Sequence, residues 1–184
     1  YSSIHSWTTD ACVTKALSSG VKVELTATLF SNHATFFGST TSENTFITTM
    51  INLVKARGGN GVNIDFEAVP SSKSANLTSF MQRLCDSVHA RIPGGQVTVA
   101  APAVNWSGTW NVSALKTYVD LWVIMGYDYY YGGSANAGPC SPLTGGGMWG
   151  AYDCSQSVIY YLSQGVPNSK VALGVPSYGY DWPT

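Results

Sequence analysis

Charge is scarce in this chain of 184 residues: Asp, Glu, Lys and Arg make up 10% of it, against about 25% in a typical soluble protein. The nine basic residues are scattered singly and the net charge is −1. No stripe of positive potential can therefore hold a phosphate backbone, and nucleic acid is excluded as a partner. No run approaches the ~18 apolar residues of a membrane span, so no membrane partner is expected. The first residues include neither an initiator Met nor a charged segment ahead of an apolar one, and the chain reads as a mature or trimmed product. His5, His33 and His89 show no metal-ligand spacing, and Cys12, Cys85, Cys140 and Cys154 include no CxxC pair. No metal or cofactor is expected, and the histidines are assigned to the surface or to loops. The triplet Gly145, Gly146 and Gly147 is not followed by Lys-Ser/Thr, so it reads as a flexible loop in which no helix starts, without the features of a phosphate cradle.

What the chain does have is a hydrophobic fraction of 45%, enough for one sizeable core, and a single domain over 1–184 is expected. Ser, Thr, Asn, Gly and Tyr are abundant, which suits neutral, hydroxyl-rich ligands outside the cell. The even cysteine set favours disulfides, with Cys140 and Cys154 able to staple one long loop. Cys12 and Cys85 fall on separate helices, and whether they pair or stay free and buried is open. Asn76, Asn105 and Asn111 begin Asn-x-Ser/Thr triplets that would be glycosylated only in a eukaryotic secretory pathway.

Short β-branched runs predict strands at 21–30, 61–66, 96–102, 119–127 and 170–175, with helical patterns between them. Asp10 caps a predicted helix ending at Gly20. Thr40 and Glu43 form a capping box ahead of Phe46, Met50 and Val54, and Gly58 ends that helix. Leu77, Phe80, Met81, Leu84, Cys85 and Val88 recur at intervals of three and four, as on an amphipathic helix that stops before Pro93. A last helix spans Val158 to Gln164. Strand and helix alternating in this way give parallel strands covered by helices, an α/β sheet or barrel. A barrel needs eight strands and typically ~250 residues, and only five strands are visible.

Within the run 60–67, NGVNIDFE, alternation puts Val62, Ile64 and Phe66 on one side and Asn63, Asp65 and Glu67 on the other. The apolar set must meet the helices, so the polar set faces the interior and rises to the C-terminal mouth, where barrel enzymes do chemistry. Two carboxylates so close force one to hold a proton near neutral pH, a cost rarely accepted without function. On the fourth strand, Met125 and Tyr127 share the inward parity while Trp122 and Ile124 face the helices.

These residues resemble glycoside hydrolase family 18, whose D-G-x-D-x-D-x-E signature is matched from Asn60 to Glu67 with Asn at two of its Asp positions. MGYD at 125–128 and LGVPSYGYDW at 173–182 are similar to two further segments of the family, in the same order. The resemblance implies a (β/α)8 TIM-type barrel, incomplete here with strands 3 to 7 visible, and a natural enzyme longer at both ends. It implies a secreted glycosidase of β-1,4-linked N-acetylglucosamine polymers, chitin first, in which the substrate's own 2-acetamido oxygen attacks the anomeric carbon. Glu67 would protonate the leaving oxygen and later deprotonate water, Asp65 would hold the acetamido N–H, and Tyr127 its carbonyl. Asn63, Met125, Asp128, Tyr178 and Trp182 are carried over as substrate contacts. Asn63 can hydrogen-bond but not ionise, which simplifies the titration of Asp65. A second departure is TLFSNH at 28–33, where the family often has S-x-G-G.

The motifs look most like the branch containing bacterial cell-wall and spore-cortex N-acetylglucosaminidases, so peptidoglycan is the second substrate. The alternative of another class is a catalytically silent sugar-binding protein on the same scaffold, against which Glu67 argues. Oligomeric state is not readable. Trp182 is expected in the cleft, whereas Trp7, Trp106, Trp110 and Trp149 read as ordinary packing. Glu24, in a strand of apolar and β-branched residues, reads as a hydrogen-bonding group at the bottom of the barrel.

Overall fold

The structure, a computed structural model, describes residues 7–150 and 152–182. His5 lies outside them. Five strands, β1 (Glu24–Leu29), β2 (Gly61–Phe66), β3 (Gln96–Ala101), β4 (Leu121–Met125) and β5 (Val171–Gly174), form one sheet. They are ordered as in the sequence and every neighbouring pair is parallel. This is part of a (β/α) barrel. Each predicted strand is present, β2 with the expected bounds and the other four shorter by one to four residues. Val62 and Ile64 are fully buried and Phe66 nearly so, as are Trp122 and Ile124 on β4, and this places the helices behind the sheet as alternation requires.

The helices are α1 (Ala11–Ser18), α2 (His33–Phe36), α3 (Thr40–Arg57), α4 (Ser74–Arg91), α5 (Val112–Leu115) and α6 (Cys154–Ser163). Asp10 caps α1 by accepting from the Cys12 N–H at 2.7 Å. The cap of α3 is Ser39, one residue before the predicted Thr40, and its hydroxyl accepts from the Ser42 N–H. Glu43 does not reach back to complete a capping box. It is buried and pairs with Arg83 of α4, a use that sequence spacing cannot reveal. Gly58 ends α3 in the left-handed region at φ 73°, where glycine carries no Cβ penalty. The last helix begins four residues earlier than predicted, capped by Asp153 accepting from the Gln156 N–H.

Five phenylalanines fasten the end of β2. Phe66 stacks on Phe80 of α4 with centroids 5.6 Å apart, and Phe36 of α2 meets Phe66, Phe37, Phe46 and Phe80 edge to face at 5.0–5.4 Å. Each such pair contributes about 0.5–1.5 kcal/mol beyond burial. The cluster docks α2 behind the strand that carries Asp65 and leads to Glu67.

At the other end of β2, Gly61 stands opposite Gln96, and a Cβ built on it would lie 2.1 Å from the Gln96 carbonyl oxygen. Gly61→Ala is therefore expected to destabilise the fold by at least about 2 kcal/mol, because backbone on a neighbouring strand cannot move aside as a side chain can. The urea unfolding midpoint measures this, and an unchanged midpoint would contradict the β2–β3 register.

The cysteine expectation is corrected, since all four thiols are free. Cys140 Sγ donates to Asp128, and Cys154 Sγ donates to the Gly126 carbonyl at 3.5 Å. The loop between them is held instead by the Asp153 carboxylate, which accepts from the Gly145 N–H at 2.6 Å, and it contains a short 3-10 turn at Gly147–Trp149 where no helix was expected. Cys12 is exposed, while burial pushes the Cys85 thiol up to about 12. Of the three glycosylation triplets, Asn105 donates its amide to the Trp110 carbonyl and to Tyr160, and Asn111 caps α5. No described helix is long and apolar enough to cross a membrane.

Candidate active site

Glu67 directly follows β2, at the C-terminal mouth of the sheet, and it is exposed where Asp65 and Asn63 are half-buried. A cavity of about 380 Å³ opens beside it. Its walls come from the chain after β2 (Glu67 to Pro70), the loop after β3 (Pro102, Val104 to Ser107) and Met125 at the end of β4. Three successive strand ends thus converge on one carboxyl group. Ala68 adopts φ 52°, so the chain turns sharply as soon as Glu67 has been delivered to the mouth.

Asp65 and Glu67 interact directly: Asp65 acts to raise the pKa of Glu67 and Glu67 to lower that of Asp65, the signs expected when the proton resides on Glu67. Burial raises the pKa of Glu67 first, followed by the charge of Asp65, its accepting oxygen and the charge of Asp128. Asp65 is also raised by burial, and acceptance from Glu67 acts in the opposite direction. Asp65 Oδ1 is buried with no donor reaching it. A buried carboxylate oxygen left in this state is costly unless a ligand supplies the missing donor. The pKa of the Tyr127 hydroxyl is raised by burial and then by the charges of Asp65, Glu67 and Asp128, so it feels the field of all three.

Asp128 lies beyond the end of β4 in the left-handed region at φ 59°. One of its oxygens accepts from Tyr178 at 2.8 Å and from Tyr180 at 2.9 Å. Tyr127, Tyr178, Tyr180 and Trp182 form a run of ring contacts at 6.2, 5.8 and 6.1 Å. The fourth-strand and fifth-strand motifs therefore meet in space, as their shared use in one site requires. The Trp182 Nε1–H is buried and unpartnered.

Asn63 sits lower. Its amide donates to Thr98 Oγ1 at 2.8 Å, and Thr98 in turn donates to Glu24 at 2.5 Å. These residues line a second cavity of about 440 Å³ at the N-terminal half of the strands, with Lys22, Thr26 and Gln96. Glu24 is thus the hydrogen-bonding group expected at the bottom. Asn63, carried over as a substrate contact, is engaged downward in this network, away from the cavity beside Glu67.

Two residues escaped the sequence reading. Trp106 is 72% exposed, contrary to the expected packing role. It lines the cavity beside Glu67 and meets Tyr152 with ring centroids 4.4 Å apart. Trp149 is also partly exposed, against Tyr130, whereas Trp7 and Trp110 are buried as expected. His33 is 8% exposed, not a surface or loop residue, and its Nε2–H donates to the Glu67 carbonyl at 2.9 Å. Its position in the unmatched TLFSNH segment offered no signal. His89 behaves differently, half-exposed on α4 and paired with Asp120 at 2.7 Å. No cluster of three or more metal-ligating side chains occurs among the described residues.

The family model for glycosyl hydrolases family 18 matches residues 15–184. The chain belongs to that family. Its family-18 relatives include the Bacillus subtilis (strain 168) protein named "Putative sporulation-specific glycosylase YdhD", 30% identical over 94% of this chain and 38% of the relative. The mouse di-N-acetylchitobiase is 28% identical over 74% of this chain and 37% of its own length. The crystal structure of YdhD superposes on this family-18 chain with a TM-score of 0.81, 26% identity, and coverage of 98% of this chain and 59% of that one. The chain therefore spans under two-fifths of these two curated relatives.

Proposed function

We propose that this family-18 site hydrolyses β-1,4-linked N-acetylglucosamine polymers with retention of configuration, the substrate's acetamido oxygen acting as nucleophile. The observation that carries the reading is the contact between Asp65 and Glu67. Glycosidases that use two carboxyls hold them about 5–5.5 Å apart for an enzyme nucleophile or about 6.5–9.5 Å apart for an activated water, on opposite faces of the sugar. Two carboxyls within hydrogen-bond reach of each other fit neither arrangement. The pair can instead work from one side. Glu67, kept protonated, gives its proton to the leaving glycosidic oxygen and afterwards takes one from water. Asp65 uses its free acceptor capacity for the acetamido N–H, which orients the acetamido oxygen toward the anomeric carbon and stabilises the positive ring that forms.

Tyr127, which feels the charges of all three carboxyls, supplies a hydroxyl for the acetamido oxygen. Asp128, Met125, Tyr178 and Trp182 border the same sugar. The reading makes the substrate the third participant, so a sugar lacking the 2-acetamido group should not be turned over. Chitin and chito-oligosaccharides are the first substrate class, in keeping with the chitobiase likeness. Peptidoglycan is the second, favoured by the likeness to YdhD. Both polymers lie outside the cytoplasm, and secretion belongs to the same proposal. Mass spectrometry of products from the full-length protein, incubated separately with chitin oligomers and with purified muropeptides, decides between them. Cleavage of neither would leave the silent sugar-binding alternative.

A further inference from the structure

We infer that His33 is a positioning residue for Glu67: it fixes the peptide immediately after the proposed acid and so sets where the Glu67 carboxyl points. The inference rests on the proposed role of Glu67 and adds to it a residue outside the three motifs. β2 ends at Phe66, so Glu67 has no further strand pairing to hold it, and the next residue turns away at φ 52°. Two contacts replace the ladder. The Glu67 N–H donates to the Leu29 carbonyl at 3.0 Å, and the Glu67 carbonyl accepts from His33 Nε2–H at 2.9 Å.

Both partners come from β1 and the turn that follows it. That turn is shaped for the purpose, since Asn32 stands in the left-handed region at φ 58° and α2 starts on His33 itself. Phe36, one turn further on, anchors α2 against Phe66 and Phe80. The residue that precedes Glu67 and the residue that holds its carbonyl are thereby tied to one aromatic cluster. His33 is buried, so water does not readily substitute for its N–H. Without that donor, the Glu67 peptide can rotate and the carboxyl is no longer confined to one direction. A misplacement of about 1 Å at a reacting group costs about 10²-fold in rate.

The test separates positioning of an acid from general support of the fold. A natural sugar leaving group needs protonation as the glycosidic bond breaks, and a 2,4-dinitrophenolate does not. In the full-length protein, His33→Phe keeps a ring and removes the donor. It should lower kcat/KM for chitotetraose about 10- to 100-fold, with KM within about 2-fold, and lower kcat/KM for 2,4-dinitrophenyl chitobioside by no more than about 3-fold. His33→Gln, which can carry an N–H to a similar reach, should recover chitotetraose cleavage to within about 3-fold of the parent. His33→Leu repeats the test if the Phe variant does not fold. Equal losses on both substrates, or no recovery in His33→Gln, would overturn the inference. Glu67→Gln is run alongside: if it shows the leaving-group dependence and His33→Phe does not, the inference fails and the role of Glu67 stands. If Glu67→Gln shows no such dependence, the proposed role of Glu67 fails, and the His33 inference with it.

Discussion

Glu67→Gln is expected to lower the turnover of chito-oligomers by about 10³-fold while leaving their binding nearly unchanged. The amide keeps the volume of the carboxyl and can still donate to Asp65, so the site retains its shape. What it loses is the proton that the leaving oxygen requires and the base that the attacking water requires. Both half-reactions therefore fail together. Binding by Met125, the aromatic run from Tyr127 to Trp182 and the cavity beside Trp106 does not depend on that proton. Isothermal titration with chitotetraose, set beside product analysis, reads the two quantities separately. Retained turnover would remove Glu67 from the mechanism, and lost binding would mean that the side chain serves mainly to hold sugar.

Asp65→Asn should lower kcat by about 10²-fold, because a neutral amide cannot stabilise the positive charge that develops on the sugar and its acetamido group. The same substitution should change the pH profile in a defined direction. Activity requires Glu67 protonated, so it is present at low pH and lost as pH rises through the upper apparent pKa of the pair. Asp65 raises the pKa of Glu67 both by its charge and by accepting its proton, although burial is the larger cause. Removing the charge lowers that pKa, and the alkaline limb should move to lower pH. The acid limb reports ionisation of Asp65 and should disappear. Because the two groups interact, the limbs of the parent protein belong to the pair, not to either residue alone. Residual kcat measured across the pH range checks this, and an alkaline limb that moves upward would contradict the proton placement.

Much of this arrangement was legible in the sequence because it depends on period-two alternation. The inward set Asn63, Asp65 and Glu67 and the outward set Val62, Ile64 and Phe66 follow from strand geometry alone, and so do Met125 and Trp122 on β4. What alternation cannot supply is distance across the lumen. It gave Asn63 and Asp65 the same direction without showing that Asn63 on β2 is bound to Thr98 on β3 and, through it, to Glu24 on β1. Long-range polar pairs were hidden for the same reason. Glu43 looked like a local cap, and only tertiary packing brings Arg83 to it. His33 was unreadable in a different way. A lone histidine in a polar turn has no periodic signature, and its use follows from a phenylalanine cluster whose members are 44 residues apart at the extremes, from Phe36 to Phe80.

Cysteine arithmetic failed on a physical point. An even number of thiols at a suitable loop spacing is a condition for a disulfide, but the Cβ vectors must also converge. Here Cys140 is turned toward Asp128 and Cys154 toward Gly126, and the loop is closed by Asp153 instead. Trp106 shows a related limit. Tryptophan in a loop is commonly packed, yet this one stands out into the mouth beside Glu67.

The central claim is that the substrate's acetamido group, held by Asp65 and Tyr127, replaces an enzyme nucleophile. Its most direct test is the rate at which the full-length protein cleaves aryl chitobiosides whose reacting sugar carries N-acetyl, N-fluoroacetyl, N-difluoroacetyl or N-trifluoroacetyl. Each fluorine withdraws electrons from the attacking oxygen, so kcat/KM should fall steeply and progressively along the series. A rate indifferent to the fluorines, or equal cleavage of the 2-hydroxy analogue, would contradict the account.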